Sequence, residues 1–201
     1  MSVFILAGGE SSRMENGDKP HMIFHQNKTL LGFILDRFQS RHDVYIVAKD
    51  KRNFSEYEAE VIEDELHAGP LGGMYTGLKF SRESKNFFLA CDMPFFPAGL
   101  ATWMLEQAQQ DILIPRDENG WLEPLAAVYN KSCLPAIETI IEAGERKIIE
   151  FFPRVNVEHV SKKMLKKRVN FPHVFQNVNT RKDWERAQTQ ILTDYLEKFT
   201  E

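Results

Sequence analysis

Val3-Phe4-Ile5-Leu6-Ala7-Gly8-Gly9-Glu10-Ser11-Ser12-Arg13-Met14, followed by Lys19, decides the fold of this chain. The apolar run Val3 to Leu6 reads as a buried strand. Gly8 and Gly9 then let the backbone turn sharply and approach a ligand with no Cβ in the way. Ser11 and Ser12 offer hydroxyls, the turning main chain offers N–H groups, and Arg13 and Lys19 bring two cations to the same loop. A strand, a glycine turn, free donors and positive charge together predict a polyphosphate site.

Working outward, short apolar runs alternate with segments of helical spacing. Strands are predicted at Val3 to Ala7, Val44 to Ala48, Val61 to Glu63, Phe87 to Cys91 and Ile112 to Pro115. Between them Leu30, Leu31, Ile34, Leu35 and Phe38 form one helical stripe, and Leu100, Trp103, Met104 and Ala108 form another. This alternation predicts a Rossmann-like α/β domain, with a mostly parallel central sheet and helices on both faces. In such sheets ligands bind beyond the carboxyl ends of the strands, where the glycine loop and Asp92 both fall. The second half is less regular. Glu123 to Tyr129 reads as a strand, Lys131 to Ala143 as a helix ended by Gly144, and residues 154 to 160 as an edge strand. Asn179 or Thr180 caps a last helix with an apolar face of Trp184, Ala187, Ile191 and Tyr195. No repeat or linker divides the chain, so residues 1–201 are expected to form one domain.

Composition excludes several classes. The 201 residues carry a net charge of −4, so no broad attraction to nucleic acid or to an anionic membrane is expected, and phosphate binding must rest on local charge. Two cysteines, Cys91 and Cys133, are too few for a disulfide framework. The N-terminal apolar run is too short for a signal peptide, no segment is long enough to span a membrane, and a cytoplasmic protein is expected. The six histidines show no metal-ligand spacing. Lys162, Lys163, Lys166, Lys167 and Arg168 form a basic cluster around Met164 and Leu165 that reads as a solvated face. The alternative is a patch that attracts a cofactor phosphate or an acidic partner protein.

Two further motifs carry chemistry. Asp92, in Leu89-Ala90-Cys91-Asp92-Met93-Pro94, ends a buried strand. A carboxylate held there faces the ligand crevice and suits Mg²⁺, which takes one or two carboxylates together with phosphates and water. Gly69-Pro70-Leu71-Gly72-Gly73 reads as a tight loop leading into a helix from Met74. Its exposed N–H groups could read a planar base, and Asp64 could accept from a guanine edge or a ribose.

The first loop is neither G-x-x-x-x-G-K-[ST] nor G-x-G-x-x-G. It resembles the G-G-x-S-x-R-M…K loop of small nucleotidyltransferases, and the chain as a whole resembles the molybdenum cofactor guanylyltransferases. Leu6 to Gly9 match that family's L-A-G-G, where related cytidylyltransferases tend to read L-A-A-G. Gly69 to Gly73 match its G-P-L-x-G, Asp92 its C-D-x-P aspartate, and Glu123-Pro124-Leu125 its proline-led strand. Gly144-Glu145-Arg146 match its G-E-R, and Asn177-Val178-Asn179-Thr180 its N-V-N-T. Such short loops are weakly specific singly and strongly specific in this order and spacing.

The resemblance implies transfer of GMP from GTP to molybdopterin or its molybdenum-loaded form, with Mg²⁺ on Asp92 and pyrophosphate as leaving group. It implies that Leu6, Ala7, Gly8, Gly9, Ser11, Lys19, Asp64, Gly69, Gly72 and Asp92 hold the nucleotide. Arg13, Lys19 and Asp92 would carry catalysis, and Asn177 and Asn179 would hold the pterin. Transient contact with cofactor-insertion or acceptor proteins would follow. Two departures stand out: Glu15 occupies a position where the family has glycine, and Val47-Ala48-Lys49 lacks a family asparagine. The alternatives are a cytidylyltransferase for the same cofactor, a sugar-phosphate nucleotidyltransferase, and a non-catalytic GTP-binding delivery scaffold.

Overall fold

The structure, a computed structural model, describes residues 1–7 and 19–199. The elements are β1 (Ser2–Leu6), the hairpin β2 (Ile23–His25) and β3 (Lys28–Thr29), α1 (Leu30–Gln39), β4 (Asp43–Ala48), β5 (Glu60–Glu63), α2 (Gly69–Phe80), β6 (Lys85–Ala90) and α3 (Ala98–Gln107). They continue through β7 (Ile112–Arg116), β8 (Ala126–Asn130), α4 (Leu134–Glu142), β9 (Val157–Ser161), α5 (Lys162–Val169), α6 (Arg181–Arg186) and α7 (Leu192–Phe199).

Seven strands form one sheet in the order β5-β4-β1-β6-β8-β7-β9. All run the same way except β8, which is antiparallel to both β6 and β7. The strand alternation sorts the core into two layers. Val3 and Ile5 point to one face, which α1, α3 and the C-terminal helices cover through Leu31, Leu100, Leu165 and Trp184. Phe4 and Leu6 point to the other, which α2 and α4 cover through Leu71, Met74 and Ile137. Gly77 lets α2 lie directly on the sheet: a Cβ there would sit 2.9 Å from Phe88 and 3.0 Å from Phe4. The mostly parallel sheet with helices on both faces is the architecture expected from the sequence.

Because β8 runs backwards, its start lies on the same edge as the ends of its neighbours, with Ala126 opposite Leu89. That edge gathers the residues after β1, β4, β5, β6, β7 and β9, together with those before β8.

Four local expectations are corrected. Gly69 to Gly73 is not a loop before a helix but the first turn of α2 itself. Gly69, at φ +62°, and Pro70 serve a helix start as readily as a turn, because proline lacks only an N–H that a first turn leaves unpaired. The strand expected at Glu123 to Tyr129 begins only at Ala126, since residues 124 and 125 form a turn. Residues 131–133 form a 3-10 turn, and α4 starts at Leu134. The edge strand expected over 154 to 160 runs from Val157 to Ser161, after a 3-10 stretch, Ile148–Arg154. The hairpin over 23–29, turned by positive φ at Gln26 and Asn27, was not foreseen.

Candidate active site

The loop residues Gly8, Gly9, Ser11 and Arg13, and the departure at Glu15, lie outside the described residues. Leu6 and Ala7 close β1: the Leu6 carbonyl accepts from Cys91 N at 3.2 Å, and Ala7 N donates to Val47 at 2.9 Å. These bonds fix where the glycine loop leaves the sheet, between β4 and β6.

Asp92 lies two residues past β6. Its backbone carbonyl accepts from Val178 N at 2.9 Å, which ties the C-terminal segment to the strand end. The Val178 side chain is fully buried and anchors the segment, leaving Asn177 and Asn179 on either side of the anchor. Lys19 sits buried in a 3-10 turn, Lys19–His21, and its Nζ donates to Asn179 Oδ1 at 2.9 Å. The Asn179 side chain also lies close enough to the Asp92 carboxylate to favour its charged form. Lys19, Asp92 and Asn179, spread across the whole chain, therefore form one polar cluster on the edge predicted to bind ligand.

This cluster is incompletely satisfied. Asp92 Oδ1 and Asn177 Oδ1 are buried and accept no hydrogen bond from the described residues. Only His42 Nδ1 shares that condition among them, so two of the three such atoms fall at this site. Burial raises the Asp92 carboxyl above the usual range, while the Lys19 ammonium, a backbone N–H and Asn179 oppose the rise. An acid kept near a cation with one oxygen bare is suited to a further positive partner. That oxygen fits a divalent ion, completed by substrate oxygens and water. No group of three or more His, Cys, Asp or Glu side chains gathers around a metal position among the described residues. Cys91, next to Asp92, is no nucleophile, because burial pushes its thiol up to about 12.

Asp64 is placed differently. It follows β5 and is buried, but its Oδ1 already accepts from Leu66 N at 3.1 Å and from Thr76 Oγ1 at 3.2 Å. A Cβ at Gly72 would lie 3.0 Å from Asp64 Oδ2, so Gly72 allows α2 to start directly on this carboxylate. No side chain caps α2, since Ala68 precedes it. Its first turn therefore offers N–H groups at the positive end of the helix dipole. Thr180, and not Asn179, caps α6, in a capping box with Asp183. That frees the Asn179 side chain for Lys19 and Asp92.

The supposed basic face is not uniform. Lys162 is nearly buried and pairs with Glu123 at 3.0 Å, Lys163 pairs with Glu118 at 3.0 Å, and Arg168 lies 4.4 Å over the Trp103 ring. Sequence reading missed the Glu123–Lys162 pair, because 39 positions separate its members and nothing in the spacing joins them.

A doubly wound sheet with cation, carboxylate and uncapped helix start converging on its carboxyl edge defines a nucleotide-handling α/β enzyme. Residues 3–160 match the MobA-like NTP transferase domain, and the chain belongs to that family of nucleotidyltransferases. It is 34% identical over 190 residues to a probable molybdenum cofactor guanylyltransferase of Pelotomaculum thermopropionicum, covering 92% of this chain and 90% of that protein. It is 31% identical over 194 residues to a molybdenum cofactor guanylyltransferase of Syntrophotalea carbinolica, covering 94% and 91%. The crystal structure of molybdopterin-guanine dinucleotide biosynthesis protein A from Archaeoglobus fulgidus superposes with a TM-score of 0.84 at 29% identity. That match covers 96% of this chain and all of the other.

Proposed function

We propose that this enzyme transfers GMP from GTP to the terminal phosphate of molybdopterin, or of its molybdenum-loaded form, and releases pyrophosphate. One observation carries the reading to particular residues: Lys19, bonded to Asn179, and the Asp92 carboxylate gather at the carboxyl edge of β6, with one Asp92 oxygen unpartnered among the described residues. The names of the relatives support guanine as the base and the pterin cofactor as acceptor.

An acceptor phosphate oxygen attacks the α-phosphorus of GTP, a new P–O bond forms, and the bond to the β-phosphate breaks. The nucleophile is already ionised, so the site needs no strong general base. Both reactants are anions, and the enzyme's task is alignment and neutralisation. Lys19 neutralises charge on the nucleotide phosphates, and Arg13 joins it from the glycine loop. Asn179 holds the Lys19 ammonium and the Asp92 carboxylate at fixed positions. Asp92 would hold Mg²⁺, which supplies neutralisation of the phosphate oxygens when bound. Gly8, Gly9 and Ser11 would wrap the phosphates. The start of α2 at Gly69 and Gly72, braced on Asp64, would meet the base. Asn177, with its unpaired buried oxygen, would face the pterin, and Asn179 would stand between the two substrates.

No helix among the described residues is long and apolar enough to cross a membrane. A cytoplasmic place is proposed because GTP is drawn from there and both cysteines are free thiols.

Pyrophosphate release tests the reading, measured with GTP, CTP and ATP, each with and without molybdopterin and Mg²⁺. Release only with GTP, molybdopterin and the metal together is expected. Equal or faster release with CTP, or GTP binding with no release, would replace it with one of the other readings.

A further inference from the structure

The sheet order divides the site edge in two. β1, β4 and β5 lie on one side of β6, with the glycine loop, Asp64 and the start of α2. β8, β7 and β9 lie on the other side, and no residue there has yet been given a role. If the nucleotide occupies the first side, an acceptor meeting it at Asp92 must come over the second.

That second side holds a nearly buried ion pair. Lys162 Nζ donates to Glu123 Oε2 at 3.0 Å, and the two side chains are only 14% and 16% exposed. Glu123 precedes the turn whose Leu125 carbonyl accepts from Ala90 N at 2.9 Å, so it stands beside the end of β6. Burial raises the Glu123 carboxyl, Lys162 opposes this, and the Asp92 charge is close enough to add to the rise. The Lys162 ammonium also lies 5.3 Å from the centre of the Phe175 ring, two residues before Asn177. It therefore sits between the turn before β8 and the strand of chain that carries Asn177. Among the described residues Glu123 is its one hydrogen-bond partner, which leaves N–H groups free to donate.

A clamp between hairpin and helix needs no charge here. A buried ion pair is often no better for stability than apolar side chains of similar size. Lys162 is also the first residue of α5, where the helix dipole disfavours a cation. An anion arriving at this ammonium would gain from its charge and its free N–H groups.

We propose that Lys162 binds the phosphate of the acceptor substrate, and that Glu123 is the positioning residue that holds its ammonium toward Asp92. This rests on the reading of the acceptor as a phosphomonoester.

The test compares the parent with Lys162→Met, Lys162→Arg and Glu123→Gln. Molybdopterin Kd is measured by fluorescence without GTP, KM for each substrate by pyrophosphate release, and Tm by thermal unfolding. Lys162→Met should raise acceptor Kd and KM about tenfold, the loss of one charge-assisted contact, with the KM for GTP within about twofold. Lys162→Arg should restore most of the affinity, and Glu123→Gln should show a smaller loss confined to the acceptor. An unchanged acceptor Kd in Lys162→Met, or equal rises in both KM values, would overturn the proposal. Should Lys162→Met not fold, Glu123→Gln decides: normal acceptor affinity there overturns it. A parent that binds molybdopterin but releases no pyrophosphate would instead overturn guanylyl transfer and leave the Kd comparison intact. A parent that does not bind molybdopterin overturns both.

Discussion

Asp64 and Asp92 make an instructive pair. Each follows a parallel strand on the same edge of the sheet, Asp64 buried and Asp92 partly so, and each stands near a helix or segment it helps to place. Asp64 is consumed internally: a backbone N–H and a threonine hydroxyl occupy it, and α2 packs against it at Gly72. Asp92 keeps one buried oxygen without a partner among the described residues and lies near the buried Lys19 ammonium. A satisfied buried acid braces a fold, whereas an unsatisfied one beside a cation carries a cost that a further hydrogen-bonding or cationic partner removes. The difference points to Asp64 as support for the base-binding helix start and to Asp92 as the reacting centre.

The largest expected effect breaks that contrast at its functional end. Asp92→Asn should lower kcat by about a thousandfold or more, since the metal-holding charge is worth several kcal/mol in the transition state. Stability should move the other way. The folded-state pKa of Asp92 is raised, so its stabilising contribution is present while protonated, below the unfolded pKa, and is lost as pH rises through the folded pKa. At pH 7 the parent carries the buried charge at a cost. The variant should then match or exceed the parent's Tm by a few degrees, with the gap closing under acid conditions. Near-parental turnover, or a Tm falling well below the parent's at pH 7, would remove Asp92 from the reacting centre.

Next in size is Asp64→Ala. Leaving the Leu66 N–H and the Thr76 hydroxyl unpaired costs about 1–3 kcal/mol each. Thermal unfolding should fall by roughly 5–15 °C for a chain of this length. GTP affinity should drop as the start of α2 loosens. A variant with parental Tm that has lost only guanine selectivity would show instead that Asp64 reads the base directly, as the sequence first suggested.

Lys19→Ala should slow kcat by about a hundredfold and leave residual activity, if Arg13 and a metal on Asp92 act on the phosphates as proposed. Loss of its bond to Asn179 should make Asn179→Ala less damaging in that background than in the parent, leaving only the part that acts through Asp92, and a double-mutant cycle measures this coupling. Fully additive effects would separate the two residues.

The smallest effect sharpens the assignment of the acceptor side. Asn177→Ala should weaken molybdopterin binding by about three- to tenfold and leave GTP affinity within about twofold, as expected for one neutral contact. Titrations with each substrate check it, and a loss of GTP affinity alone would move Asn177 to the nucleotide.

Much of this was legible from local pattern. The short continuous apolar runs announced β1, β4 and β6, because strands covered by helices on both faces are apolar along most of their length. Asp92 was legible for the same reason, as a charge ending such a run. Less legible were boundaries that depend on partners. Gly69-Pro70 is compatible with both loop and helix start, and only packing on Asp64 and the sheet selects the helix. The reversal of β8 could not be read from Ala126 to Asn130, since strand direction leaves no trace in a five-residue apolar run.

By itself, then, the sequence determined the layered α/β architecture, the edge on which chemistry occurs, and Lys19, Asp92 and Asn179 as candidates, because these follow from periodicity and from residue types at strand ends. Only the tertiary structure decided which of them touch. It bonded Asn179 to Lys19 across 160 positions, satisfied Asp64 while leaving Asp92 bare, and drew Lys162 out of an apparently solvated cluster onto Glu123. Burial and hydrogen-bond saturation belong to the folded surroundings of a side chain, and its neighbours in sequence do not specify them.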